Sequence, residues 1–343
     1  MSKITTRERP GVYSVYEASS LSAAASGGSA AVIVAEAGSG AGTGPFRWTS
    51  YSRAAADVGA CRLSELARLA LKNGAGVVYG VPAGSDYEAA FAEAAKLEGV
   101  GVVVCGSTDL AVQKKLKESV VACAAARRER IAVVAGAEGE TADQLVERAA
   151  ALNSERMVLV GPNAAGGDGA ACAAAVAGTI AGQTDPALPL SGAELKGLDG
   201  LGAEYDDDAV DQLIRGGVTP LESVNSAMSV VRAVTTRTTT GGAADATWRE
   251  LSTILVVDEV IPAIRNALRA KFQRVKNTEQ TRGAIRSQVV LELEDRVSRE
   301  IIDGYEDVTV EAERGDPTVC RVEFAFAVTH GLNQIWLSAH ITV

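Results

Sequence analysis

Between Ala30 and Pro162 the chain alternates apolar runs of strand length with segments of helix length, and this grammar restricts the fold more than any other feature. The runs AAVIVAEAG, GVVYGVPAG, VGVVVCG, RIAVVAG and RMVLVGP are free of charge at their centres. Between them lie CRLSELARLALKNGAG, DYEAAFAEAAKLEG, LAVQKKLKESVVACAAARRE and TADQLVERAAALN, which read as helices. Gly74 closes the first helix and Asp86 opens the second as its N-cap. A strand that is apolar throughout must be covered on both faces, and strands alternating with helices pair in parallel. The expected core is therefore α/β, with a mainly parallel sheet flanked by helices.

After about residue 240 the pattern changes. AVTTRTTTGGAADATW reads as a loop or edge segment, followed by a long helix from Trp248 to Lys276 and another from Gln280 to Asp303. Three alternating strands come next: EDVTVEAE, CRVEFAFAVTH and NQIWLSAHITV. Helices followed by strands indicate a separate α+β unit. The expected division is an N-terminal arm over 1–20, a core over 21–240 and a C-terminal domain over 241–343. Within the core, 21–90 and 91–240 are candidate subdomains.

The two ends raise a pairing question. Ile335, Leu337, Ala339, Ile341 and Val343 alternate with polar or amphipathic residues up to the last position, so no later segment covers that strand. Near the start, Val12, Tyr13, Val15 and Tyr16 lie in a short alternating stretch. The small-residue tether ASSLSAAASGGS separates it from the core, with Gly27 and Gly28 as candidate hinge positions. Each arm either folds back on its own chain or extends the sheet of another, where it would satisfy unpaired N–H and C=O groups.

Residues for chemistry are sparse. GSGAGTG at 38–44 fails the G-x-G-x-x-G spacing in every frame. GPNAAGGD at 161–168 begins like a phosphate loop, but Gly167 stands where the lysine belongs and Asp168 where the hydroxyl belongs. Both read as surface loops. There is no G-x-S-x-G elbow, and the two histidines, His330 and His340, read as a turn residue and a solvated strand residue. Asp206, Asp207, Asp208 and Asp211 in YDDDAVDQL suit a helix N-terminus better than a metal site. The five cysteines lack any C-x-x-C pair and read as reduced thiols. No catalytic, cofactor-binding or metal residue is assigned, although a parallel sheet keeps an α/β enzyme for a nucleotide or small substrate as the alternative.

Charge narrows the partners. A net charge of −10 disfavours general nucleic-acid binding and an anionic membrane surface. The start MSKITTRERPGVYSVYE lacks the apolar centre of a secretory signal, and GAACAAAVAGTIAG is too short to span a bilayer. Against this acidic background Arg265, Arg269, Lys271, Arg274 and Lys276 cluster in the second half of the long helix. They either complement the helix C-terminus or form a basic stripe for an acidic partner.

The order of these segments resembles the contractile tail sheath family of phages and phage-derived injection machines. The likeness rests on RPGVY, on FRWTSYSRAAADVG followed by LARLALKNGAGVVYGVP, and on AAAVAGTIAGQTDPALPLSGAELKGL. It continues through LIRGGVTPLES and VVRAVTTR to WRELSTILVVDEVIPAIRNALRAKF and SQVVLELEDRVSREIIDGYEDVTV. It implies a structural homopolymer of stacked rings around an inner tube, contacting baseplate and tail terminator proteins and using no cofactor. It also implies arms that join neighbours through their C-terminal sheets, with residues 265–276 as the tube-facing candidate. The implied setting is a virion tail or tail-like particle, assembled in the bacterial host cytoplasm. Larger sheath proteins insert outward-facing domains that this chain lacks.

Overall fold

The apolar runs lie side by side, as their covering helices require. The computed structural model describes residues 28–38, 42–84, 86–225, 227–333 and 335–338. Its strands are β1 (Ala30–Ala35), β2 (Phe46–Trp48), β3 (Val78–Pro82), β4 (Val100–Cys105), β5 (Ile131–Ala135), β6 (Met157–Gly161), β7 (Glu194–Leu195), β8 (Val218–Val224) and β9 (Ala227–Val230). They form one sheet in the order β2-β3-β1-β4-β5-β6-β8-β9-β7. The run from β3 to β8 is parallel, with β2 antiparallel at one edge and β9 and β7 antiparallel at the other. The sheet continues unbroken across residue 90, because β1 lies between β3 and β4.

Helices cover both faces. α1 (Tyr51–Val58), α2 (Arg62–Lys72) and α6 (Gly169–Gly182) share one apolar cluster with Ile33, Val104, Val133 and Val160. α3 (Tyr87–Ala95), α4 (Leu110–Ala125), α5 (Ala142–Leu152) and α7 (Asp207–Arg215) share another with Val34, Val103, Val134 and Leu159. Alternate residues of each strand thus enter opposite cores. Asp86 caps α3 through the Glu88 and Ala89 amides, and Gly74 follows α2 at φ +114°.

α6 sits deepest. The segment GAACAAAVAGTIAG, too short to cross a bilayer, is a helix whose residues are buried around almost the whole circumference. Its small side chains let α2 approach backbone to backbone. A Cβ on Gly178 would lie 2.4 Å from the Ala70 carbonyl oxygen, and one on Gly182 would lie 2.6 Å from that of Gly74.

Beyond a two-residue hairpin, β10 (Thr239–Thr240) and β11 (Ala243–Ala244), the C-terminal unit comprises α8 (Leu251–Lys271), α9 (Glu279–Ser298), β12 (Ile302–Ala312) and β13 (Cys320–Val328). β12 and β13 pair antiparallel as a sheet of their own. Val322, Phe324, Phe326 and Val328 face a third apolar cluster, built from Val256, Val260, Ile264, Val289 and Leu293.

Three expectations need correction here. The long helix starts at Leu251 rather than Trp248 and stops at Lys271 rather than Lys276, because Phe272 is its C-cap and Arg274 turns the chain at φ +59°. α9 ends at Ser298 rather than Asp303, since Glu300 adopts φ +57° and Asp303 already belongs to β12. Residues 335–338, expected in a third closing strand, are not among the strand residues of the described chain.

Close helix packing yields a direct test. Gly178→Val places three methyl-sized groups where the Ala70 carbonyl stands, and overpacking of this kind costs about 1–3 kcal/mol. Urea unfolding should show that loss, whereas Gly139→Val, at a turn with nothing near the added Cβ, reports only the strain of its positive φ.

Candidate assembly surfaces

The crevice at the carboxyl ends of parallel strands is where α/β sheets bind ligands, so its side chains bear on the enzyme alternative. In this chain the GPNAAGGD loop closes on itself. The Asn163 amide donates to the carbonyls of Gly136, Ala137 and Gly167 at 3.2, 3.0 and 3.3 Å. Asp168 caps α6 by accepting from the Ala171 amide at 3.0 Å and also receives a two-pronged bond from Arg62, one arm at 2.6 Å. A carboxylate of the chain itself therefore occupies the helix N-terminus that a phosphate would use. Burial pushes the Asp168 carboxyl up, but the Arg62 and Ala171 bonds outweigh it and hold its pKa below the usual value.

The other chemical candidates also resolve into structural roles. Asp206 caps α7 through the Ala209 amide at 2.9 Å, with Asp207 and Asp208 in the first turn. Among the described residues no group of three His, Cys, Asp or Glu side chains could hold a metal ion, and no helix is long and apolar enough to cross a membrane. All five cysteines are unpaired. Burial pushes the Cys105 and Cys172 thiols up to about 12.

The arm residues divide. Val12, Tyr13, Val15, Tyr16, Gly27, Ala339, Ile341 and Val343 lie outside the described residues. Ile335 and Leu337 are 79% and 91% exposed, and Leu332 is 72% exposed. These three apolar side chains therefore lie outside the chain's apolar clusters. Just before it, Gly331 rests on Pro189, where a Cβ would sit 2.7 Å from the ring.

Gly28, the other hinge candidate, is wedged against the end of α6. A Cβ there would come within 2.3 Å of the Ala181 carbonyl oxygen, and Ala30 continues directly into β1 with its amide bonded to Gly99. The chain is thus anchored to the core from Gly28 onward.

The fold divides the basic run. Arg265 turns inward and holds Glu129 of the core through bonds of 2.5 and 3.3 Å. Lys271 donates to Gln288 of α9 at 2.6 Å. Arg274 lies beyond the helix end, in the turn, while Arg269 remains exposed on the last turn of α8. A run of like charges in sequence cannot reveal which members meet an acid 136 residues away.

Two ion pairs tying α8 to the core had no sequence signal except a charge in an apolar helix. Arg156, next to β6, grips Asp258 with bonds of 2.7 and 2.9 Å, both side chains being nearly buried. The Arg265–Glu129 pair lies two helical turns further on.

Comparison with known proteins follows the same order of elements. The family model for the phage tail sheath protein central domain matches residues 80–236, and that for the phage tail sheath C-terminal domain matches 243–342, most of the chain between them. A tail sheath protein of Bacillus phage SP01 is 29% identical over 226 residues, which are 62% of this chain but 38% of that relative. The chain thus spans well under two thirds of that relative's length. Among solved structures, the anti-feeding prophage helical sheath in the contracted state has a TM-score of 0.70 at 14% identity, covering 98% of this chain and 99% of its own. The contracted PVC sheath complex of an extracellular contractile injection system gives 0.71 at 18%, covering 99% of both. The crystal structure of a sheath tail protein from Desulfitobacterium hafniense gives 0.68 at 11%, covering 93% of this chain and 100% of its own. At these identities the likeness is one of fold.

The Arg62–Asp168 bond predicts an acid signature. Because the folded pKa of Asp168 lies below its unfolded value of about 3.9, its stabilisation is complete above that value and is lost as pH falls through the folded pKa. Asp168→Asn keeps a capping acceptor and removes the charge. Its urea midpoint should fall at pH 7 by the equivalent of about 1 kcal/mol and converge with wild type in strong acid. A constant gap at every pH would contradict the assignment.

Proposed function

Because the chain belongs to the phage tail sheath protein family, we propose that it is the structural subunit of a contractile sheath. Copies of the chain stack as rings around an inner tube, and contraction drives the tube through a target envelope. The observation that carries this reading is an open sheet beside an exposed apolar segment. Among the described residues β12 and β13 pair only with each other, so each leaves one edge of N–H and C=O groups unpaired. Leu332, Ile335 and Leu337 stand in solvent a few residues beyond β13. Burying such side chains contributes about 1.5–3 kcal/mol each, and backbone pairing with a neighbour's hairpin removes the aggregation hazard of an open edge.

In this reading residues 12–16 of one copy and 335–343 of another complete the C-terminal sheet of a third. The N-terminal arm then pivots at Gly27, a proposal supported by the packing of Gly28 against the end of α6. Arg269, Lys271, Arg274 and Lys276 are exposed and remain the candidates for an acidic tube surface. Baseplate and terminator proteins cap the polymer, which forms part of a virion tail or tail-like particle assembled in the host cytoplasm. The work of contraction comes from exchanged subunit contacts, a rigid-body switch between packed arrangements, and calls for no nucleotide.

Deleting residues 1–20 or 333–343 should leave a folded core by circular dichroism and abolish the hollow cylinders or stacked rings of the intact chain in negative-stain electron microscopy. Normal cylinders from both truncations would sink the arm mechanism. Reversing Arg269 and Arg274 to Glu should weaken tube association and flatten its salt dependence while cylinders of sheath alone persist. Tube binding unchanged across a salt series would remove these residues from the interface.

A further inference from the structure

Two glycines that admit no side chain, one ahead of β1 and one beyond β13, rest on the same short segment. A Cβ on Gly28 would stand 2.3 Å from the carbonyl oxygen of Ala181, in the last turn of α6. A Cβ on Gly331 would stand 2.7 Å from the ring of Pro189, in the loop that follows α6. Neither the carbonyl nor the proline ring can swing aside, so only glycine fits at either place. Next to the second contact the Ser191 hydroxyl donates to the Asn333 side-chain oxygen at 3.4 Å. Gly182, which also borders Gly28, and Pro189 face one groove of about 240 Å³, lined as well by Gln183 and Leu188. The two contacts therefore open onto the same groove.

The segment that carries both contacts is braced along its length. It continues α6, the most deeply buried helix. The Gln183 side-chain amide donates across the loop to the Leu188 carbonyl, and the Asp185 carboxylate accepts from the Ala187 amide at 2.9 Å. Beyond Ser191, the Gly192 amide donates to the Val230 carbonyl of β9 at 2.8 Å, which ties the far end to the sheet. Ala187 reaches into the third apolar cluster, that of the C-terminal unit. A loop tied at both ends and crossed by a side-chain bond in between has few other backbone arrangements open to it. Outside the contacts exposure changes sharply: Val328 still packs against the third cluster, whereas Leu332 is exposed.

We propose that residues 181–191 are a common mount for the two terminal segments, holding their roots at Gly28 and Gly331 at one fixed spacing. Pro189 is the seat of the second root and Gln183 is the brace that keeps the seat in place. Both act as positioning residues and neither supplies a contact to another copy. A segment that starts from a fixed root samples fewer directions, so it loses less freedom when it later pairs with an open sheet edge. The mount is a property of the single chain. Its use, setting how the neighbours joined by the two arms stand relative to each other, rests on the sheath reading.

The test is a distance measurement within one chain. One spin label goes on Glu98→Cys, an exposed position that shares a cavity with Gly28 and Ser29 and so marks the first root. The other goes on Leu332→Cys, beside the second root. Cys61 and Cys320 are changed to Ser, and the buried Cys105, Cys123 and Cys172 are kept. A control pair joins Glu98→Cys to Leu291→Cys, exposed on α9, and reports whether the C-terminal unit itself has moved. All samples are the monomer fraction of full-length chain from gel filtration. The Glu98–Leu332 pair should give one narrow distance distribution in the otherwise unaltered chain. Gly331→Val, which cannot rest on Pro189, and Gln183→Leu, which cannot hold the Leu188 carbonyl, should each broaden it about twofold, as expected when further arrangements become populated. The control pair should keep its width in both. If Gln183→Leu fails to fold by circular dichroism, Gly331→Val, beyond the last strand, decides the question alone. Unchanged width in the folded variants overturns the proposal, and so does a broadening that the control pair shares. The measurement uses monomers, so the mount and the sheath reading fail separately.

Discussion

The structure hangs on the contact between α6 and α2. A helix rich in alanine and glycine, buried around almost its whole circumference, lies directly on β1, β4, β5 and β6, and α2 with the turn that follows it lies so close that Gly178 and Gly182 admit no side chain. Larger residues would bury more surface and hold the layers further apart. Small ones let the backbones meet, and the packing density of the interior is recovered through many short contacts rather than a few large groups. The same contact places the end of α6 against Gly28, just ahead of β1.

Charge is used internally. Arg62–Asp168, Arg156–Asp258 and Arg265–Glu129 each join elements far apart in sequence. Buried or half-buried pairs of this kind add little net stability, because desolvation offsets much of the attraction, but losing one partner strands the other. Their effect is to fix relative placement. Asp168 locks the crevice in which related architectures hold phosphates, and the two α8 pairs set how the C-terminal unit sits on the core. A chain with net charge −10 thus spends several of its arginines on its own architecture.

The C-terminal unit is the least self-sufficient part. Its sheet has two strands, and a lone hairpin is marginal in water without a helix behind it. α9 covers one face and nothing among the described residues covers the edges. An open edge with an exposed apolar tail a few residues away is a hazard for a monomer and an asset for a polymer.

Much of this was legible in the sequence. The parallel strands β1, β3, β4, β5 and β6 and helices α2 to α5 follow from local patterns, since an apolar run of strand length between amphipathic segments has one low-energy solution. Caps such as Asp86 and Asp206 are local too, because each bonds an amide two or three residues on. The tail sheath likeness came from the order of such elements over most of the chain. What failed locally was anything decided by a distant partner. Arg265 looked like a member of a basic stripe until Glu129 met it, and Asp168 looked like a spoiled phosphate loop until Arg62 did. The helix ends at Lys271 and Ser298 were decided by positive-φ turns at Arg274 and Glu300, residues with no marked preference for them. Period and capping are short-range physics and are written along the chain. Ion pairing, burial of an alanine-rich helix and the mounting of α8 depend on which residues tertiary packing brings within a few ångströms, and only the folded structure decides that.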